Sequence, residues 1–303
     1  MSKKKKLPHE LLSEEQLREA LRQAENYDFK NREDFLAFLG QFVGQTVEEI
    51  RSFSPQKTPK EEARELAEEA YWVSDAEAEK LIKKALSLDP DNVEAHLYLA
   101  GNTADFVKAI SLYEKTIELA KKELGEEFFK QSEGHFWLIP ETRPYMRAMS
   151  GMANWWLEKG KYRKAIDIYL EMIRLNPNDN QGVRYILSNL YLRVGDLGAF
   201  RKFSKHFEDG ASVGWLFDNA LYHFMLGGDT ELSREKLKEA DAENPYLIDF
   251  MTGRKQIPDD VGSSYVLGDE SEAVHYLMLG YETWVETPGA LAWIDDFRLG
   301  QGK

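Results

Sequence analysis

Three stretches of this chain end in the same way, and their spacing restricts the possible folds more than any other feature. They are Ala85-Leu-Ser-Leu-Asp-Pro90, Met172-Ile-Arg-Leu-Asn-Pro177 and Ala240-Asp-Ala-Glu-Asn-Pro245, each a helical run stopped by an acid or amide and then proline. Pro177 and Pro245 are 68 residues apart, twice the 34 of a helix–turn–helix repeat, so one further unit lies between them. Pro90 and Pro177 are 87 residues apart, 19 more than two units, which implies an insertion of about one and a half helical turns plus a loop. A repeat of this kind cannot bury its apolar stripe alone. It must stack on its neighbours.

With the proline near the end of each unit, the clearest repeat begins at Met146. Met149, Met152, Ala153 and Trp156 recur at helical spacing, Gly160 marks a turn, and Tyr162, Ala165, Ile166, Tyr169 and Met172 form the stripe of a second helix. The run Trp155-Trp-Leu-Glu-Lys-Gly160-Lys-Tyr-Arg-Lys-Ala165-Ile-Asp-Ile-Tyr169 resembles the tetratricopeptide repeat. Two weaker units continue the phase. From Asn180 come Ile186, Leu187, Leu190, Gly195, Ala199 and Phe203; from Gly214 come Phe217, Ala220, Leu221, Phe224, Gly228, Leu237 and Ala240. Upstream, helices over 60–73 and 75–88 are opened by Thr58-Pro59-Lys60-Glu61, a capping box with proline at the first helical position, and a further pair covers 93–100 and 105–122.

The expected fold is all-α. The resemblance implies a right-handed solenoid of helical hairpins with helical caps at both ends. We divide the chain into a disordered basic tail (1–7), an N-terminal helical cap (8–56), repeats (57–251) with an insertion near 123–145, and a C-terminal helical cap (252–303). Ser13-Glu-Glu-Gln16 and Thr46-Val-Glu-Glu49 are capping boxes in the first cap, and Asn31 is a candidate cap for a helix over 32–39. In the last cap, helices are expected over 271–285 and 288–297.

Charge and composition exclude several functions. Lys and Arg number 39 against 53 Asp and Glu, a net charge of −14 that opposes nucleic-acid binding. Without cysteine there is no disulfide, thiolate metal site or cysteine nucleophile. No apolar run spans a bilayer, and the lysines of 1–6 precede no apolar stretch, so the expected compartment is the cytoplasm, with no membrane association. His9, His96, His135, His206, His223 and His275 lack metal-ligand spacing, and Ser263-Ser264 has no positioned base. We expect no catalytic residue, no metal and no cofactor.

Two regions remain as candidate sites. The segment Glu133-Gly-His-Phe-Trp-Leu-Ile-Pro-Glu-Thr-Arg-Pro-Tyr-Met-Arg147 breaks the period and is dense in aromatic and charged residues. Glu133, His135, Trp137, Glu141, Arg143 and Tyr145 are its candidate pocket for an enzyme or small-molecule sensor; the structural alternative is that the aromatics fill a packing gap while Glu141 and Arg143 pair. Phe136-Trp137, Glu141-Thr-Arg-Pro-Tyr-Met-Arg147, Leu175-Asn-Pro-Asn-Asp-Asn-Gln-Gly182-Val-Arg184 and Thr287-Pro-Gly-Ala-Leu-Ala-Trp293 resemble a mostly bacterial group of tetratricopeptide proteins with no established activity, over roughly Glu133 to Trp293.

The second candidate follows from the resemblance, which implies a concave groove lined by the first helix of each unit and receiving a peptide. Its positions fall on Arg147, Ser150 and Asn154, on Gln181, Arg184, Ser188 and Tyr191, and on Trp215, Asp218 and Tyr222. Arg147, Arg184 and Asn154 resemble a carboxylate-gripping set, in which guanidinium groups bind bidentately. The expected function is therefore a protein-protein interaction scaffold or adaptor for a peptide or protein partner.

Overall fold

A computed structural model describes residues 11–24, 32–52, 58–207, 212–258, 261–262 and 264–301. Every regular element among them is a helix, and no strand occurs among the described residues. Asn31, His9, Ser263 and the lysine tail lie outside this set. The chain divides into two compact units, one formed by residues 1–125 and 140–145, the other by 126–139 and 146–303.

The first unit opens with α1 (Glu14–Ala24), α2 (Arg32–Gly40) and α3 (Val47–Ser52). The boxes anticipated at Ser13/Gln16 and Thr46/Glu49 both form, each backbone N–H reaching the other residue's side chain. Ala20, Phe38, Leu39, Phe42 and Ile50 make the core of these three helices. Next come α4 (Pro59–Glu69), α5 (Asp75–Leu88), α6 (Val93–Gly101) and α7 (Phe106–Leu124), which pack as the pairs α4/α5 and α6/α7, with α4 also against α6. Ala63, Ala67, Ala78 and Ala85 are fully buried where α4 meets α5, and side chains this small let the two backbones approach closely. Thr58 closes the N-terminus of α4 with Glu61: the Glu61 N–H donates to Thr58 Oγ1 at 3.3 Å, and the Thr58 N–H to Glu61 Oε2 at 2.7 Å.

Charge joins α1 and α3 to α4. Arg18 Nη1 lies 2.7 and 2.6 Å from the two carboxylate oxygens of Glu68, Arg22 is 3.4 Å from Glu61, and Arg51 is 3.4 Å from Glu65 and 3.2 Å from Glu19. Glu14 receives Arg143 at 2.6 Å.

The interruption of the period holds a short helix, α8 (Glu126–Ser132), and 3-10 turns at Phe136–Leu138 and Pro140–Thr142. In the second unit Phe136 is fully buried with its ring edge-on to Phe129, centroids 4.7 Å apart. Then follow α9 (Arg143–Glu158), α10 (Tyr162–Leu175), α11 (Val183–Arg193), α12 (Leu197–Ser204), α13 (Val213–Gly227) and α14 (Glu231–Glu243). Gly160 and Gly195 take left-handed conformations, φ 64° and 70°, at the α9–α10 and α11–α12 turns, where a side chain would be strained. Met149, Ala153, Ala165 and Tyr169 are buried as the periodicity requires, whereas Met152 and Trp156 are half-buried.

The C-terminal part contains α15 (Leu247–Met251), α16 (Glu270–Glu286) and α17 (Ala290–Gln301). α17 starts two residues beyond Pro288, after Gly289 has turned the chain at φ 81°. α16 packs against α11, α13, α15 and α17. Its Trp284 is fully buried, and Trp293 of α17 stacks on Phe224 at 4.5 Å, so the last two helices share the aromatic core of the unit.

Candidate functional site

Helices α11 and α13 lie in direct contact, and α16 is packed on both. This arrangement determines the surroundings of each residue assigned to the groove. Arg147, Ser150, Gln181 and Arg184 are half-buried and Asn154 is exposed, so all five keep access to solvent. The Tyr169 hydroxyl donates to Asn154 Oδ1 at 2.6 Å, tying α10 to the solvent side of α9. Burial raises the pKa of that phenol, which remains protonated and a donor.

Arg184 stands at the N-terminus of α11. Its Nε is 3.6 Å from Asp179 Oδ2, and its guanidinium lies over the rings of Tyr185 and Phe207, 5.1 and 5.6 Å from their centroids. Asp179, a non-glycine residue at φ 48°, accepts the N–H groups of Val183 at 2.7 Å and Arg184 at 2.9 Å, capping the helix. Burial raises the Asp179 pKa, and the two N–H donors and Arg184 oppose the rise.

The other five groove residues are buried, because two elements cover them. Tyr191, Trp215 and Tyr222 face α12: Tyr222 stacks on Phe200 at 4.7 Å, and Phe203 meets Tyr191 at 5.6 Å and Trp215 at 6.3 Å. Ser188 and Asp218 lie under α16. Asp218, 1% exposed, accepts from Ser188 Oγ at 2.5 Å, Asn189 Nδ2 at 3.0 Å and the Tyr276 hydroxyl at 2.8 Å. Thr283 Oγ1 donates to Asn189 Oδ1 at 2.7 Å, and Trp284 Nε1 to the Tyr276 oxygen at 2.9 Å. Burial pushes the Asp218 carboxyl up to about 6, against the pull of its three donors. The Tyr276 hydroxyl is raised too, by burial first and then by the neighbouring carboxylate. At the far end of α11, Arg193 reaches Glu282 at 2.5 Å and Glu286 at 3.0 Å.

Sequence reasoning did not assign roles to Asn189, Tyr276, Thr283 or Trp284. A signal was present: Tyr276, Gly280, Thr283 and Trp284 recur at helical spacing and form the buried stripe of α16. It did not identify the surface that receives the stripe. Gly280 matters to the fit, because a Cβ there would sit 2.5 Å from the Tyr276 ring.

The six residues of the insertion fall in both units. Glu133, His135 and Trp137 belong to the second, where Glu133 pairs with Arg174 at 2.9 Å. Glu141, Arg143 and Tyr145 belong to the first, where Arg143 pairs with Glu14. Tyr145 is buried, Trp137 and Arg143 are half-buried, and Glu133, His135 and Glu141 are exposed. Among the described residues no three His, Asp or Glu side chains group as metal ligands, and no helix is long and apolar enough to cross a membrane. No protein-family model and no curated protein matches the chain.

Proposed function

We propose that this chain is a tetratricopeptide-like interaction scaffold, a right-handed array of helical hairpins capped at both ends, that works in the cytoplasm. It binds a peptide or protein segment along its first helices and catalyses no reaction. The observation that carries this reading is the seating of α16 on α11 and α13: that face already receives a helix through hydrogen bonds specific to side chains, from Tyr276 to Asp218 and from Thr283 to Asn189. A surface that sorts its own helix by hydroxyl position is suited to recognising a partner in the same way.

The partner surface is then the part α16 leaves uncovered, with Arg147, Ser150 and Asn154 on α9, Arg184 in the first turn of α11 and Gln181 in the turn just before it. The two guanidinium groups favour a segment bearing a carboxylate. The test is capture of a partner by the immobilised full-length chain from extract of the native host, repeated with Arg184→Glu and Asn154→Ala. Loss of the captured protein with an unchanged circular dichroism spectrum supports the reading; undiminished capture by both variants removes the site from these helices.

A further inference from the structure

α16 has a second, opposite face. The helix buries Tyr276, Gly280, Thr283 and Trp284, while Met278, Tyr281 and Val285 point to solvent with 74%, 37% and 51% of their surfaces exposed. These three recur at intervals of three and four, which makes one continuous apolar stripe along a 17-residue helix. The exposure of three large apolar side chains in one row differs from the scattered exposed residues normal on protein surfaces. Glu282 and Glu286 border the stripe with side chains 71% and 59% exposed, although each also meets Arg193.

Along the sequence around α16 the charge is of one sign, and across the fold Arg193 is a cation that reaches the rim. Residues 256–297 contain nine Asp and Glu and no Lys or Arg, within a chain of net charge −14. We propose that the solvent face of α16, the Met278–Tyr281–Val285 stripe bordered by Glu282 and Glu286, is a docking surface for a basic amphipathic helix of a partner protein. The apolar face of that helix covers the stripe, and its Lys or Arg residues meet the glutamates at the rim. A second copy of this chain fits less well, since an isologous contact would bring two acid-bordered stripes together and set like charges against each other. This surface lies outside the first-helix residues assigned above, so it stands or falls independently of them.

The test uses the full chain and two fluorescent peptides of about 18 residues, enough for five helical turns. Both are built from Lys and Leu in equal proportion; one has Leu at helical spacing, and the other is shuffled to abolish the apolar face. Anisotropy titrations at about 0.15 M salt are expected to give the amphipathic peptide at least roughly tenfold tighter binding than the shuffled one. Met278→Ser/Val285→Ser removes that preference without changing net charge, whereas Leu299→Ser, at an exposed position on α17, leaves it intact. Glu282→Gln/Glu286→Gln weakens binding and flattens its dependence on salt. Equal affinity for the two peptides, or an unchanged preference in Met278→Ser/Val285→Ser, overturns the proposal. So does concentration-dependent dimerisation that Met278→Ser/Val285→Ser abolishes, which would make a second copy the occupant.

Discussion

Replacing Asp218 with asparagine should stabilise the second unit at neutral pH, and the gain should vanish in acid. The Asp218 carboxyl is fully enclosed, and burial raises its pKa to about 6 from the ordinary 3.8. Because the folded value is raised, the native state holds the proton more tightly than the unfolded chain does. Stability contributed by this group is therefore greatest below the unfolded pKa and falls as pH rises from about 4 to about 6, with a lower plateau above. At about 1.4 kcal/mol per pH unit, the gap corresponds to roughly 3 kcal/mol.

The amide can satisfy the same site. Its oxygen takes the place of Oδ1, which accepts from Asn189 and Tyr276, and its NH2 takes the place of Oδ2. Ser188 then accepts that N–H and turns its own proton to the Tyr185 carbonyl, already 3.0 Å away. Urea unfolding of parent and Asp218→Asn, followed by far-ultraviolet circular dichroism between pH 4 and pH 8, reads the difference directly. The variant is expected to be more stable by roughly 1–3 kcal/mol at pH 7.5 and to lose that advantage near pH 4. A difference that does not change with pH, or a variant clearly weaker at pH 7.5, would refute the assignment of a dry, ionised carboxylate beneath α16.

Other consequences concern packing, capping and charge. Gly280→Ala drives a methyl into the Tyr276 ring, which is held by hydrogen bonds, and should cost about 1–3 kcal/mol in the same denaturation assay, with faster hydrogen exchange in α16 than in α10. Thr58→Ala removes half of the capping box at α4 and should lower stability by about 1 kcal/mol, a loss visible as faster exchange of the first-turn amides. In a double-mutant cycle, Arg18→Ala and Glu68→Gln should couple by about 1 kcal/mol, decreasing with salt, because both side chains keep about a quarter of their surface in water.

The sequence revealed most about features encoded close together. The helix ends just before Pro90, Pro177 and Pro245, the glycine turns at Gly160 and Gly195, the capping boxes at Ser13, Thr46 and Thr58, and the buried set Met149, Ala153, Ala165 and Tyr169 all rest on contacts within a turn or one hairpin. Such contacts leave a periodic trace. The groove was less legible because its positions were counted outward from a regular repeat with an open inner face. Nothing in the period indicates that α16, more than fifty residues beyond Asp218, lies across α11 and α13, or that the aromatic residues of α12 turn Tyr191, Trp215 and Tyr222 inward. The aromatic density of 133–147 was equally visible, but composition alone does not separate residues of one compact unit from those of another.

The absence of cysteine makes one measurement especially direct: single cysteines introduced along the first helices, labelled with a thiol reagent under native conditions. If α16 covers the α11–α13 face and leaves the α9 side open, Ser150→Cys and Asn154→Cys, both at positions with solvent access, label readily, while Ser188→Cys, at a position with no exposed surface, is protected by orders of magnitude until urea unfolds the chain. Rapid labelling of Ser188→Cys in the folded protein would contradict the account, since that face would then be open.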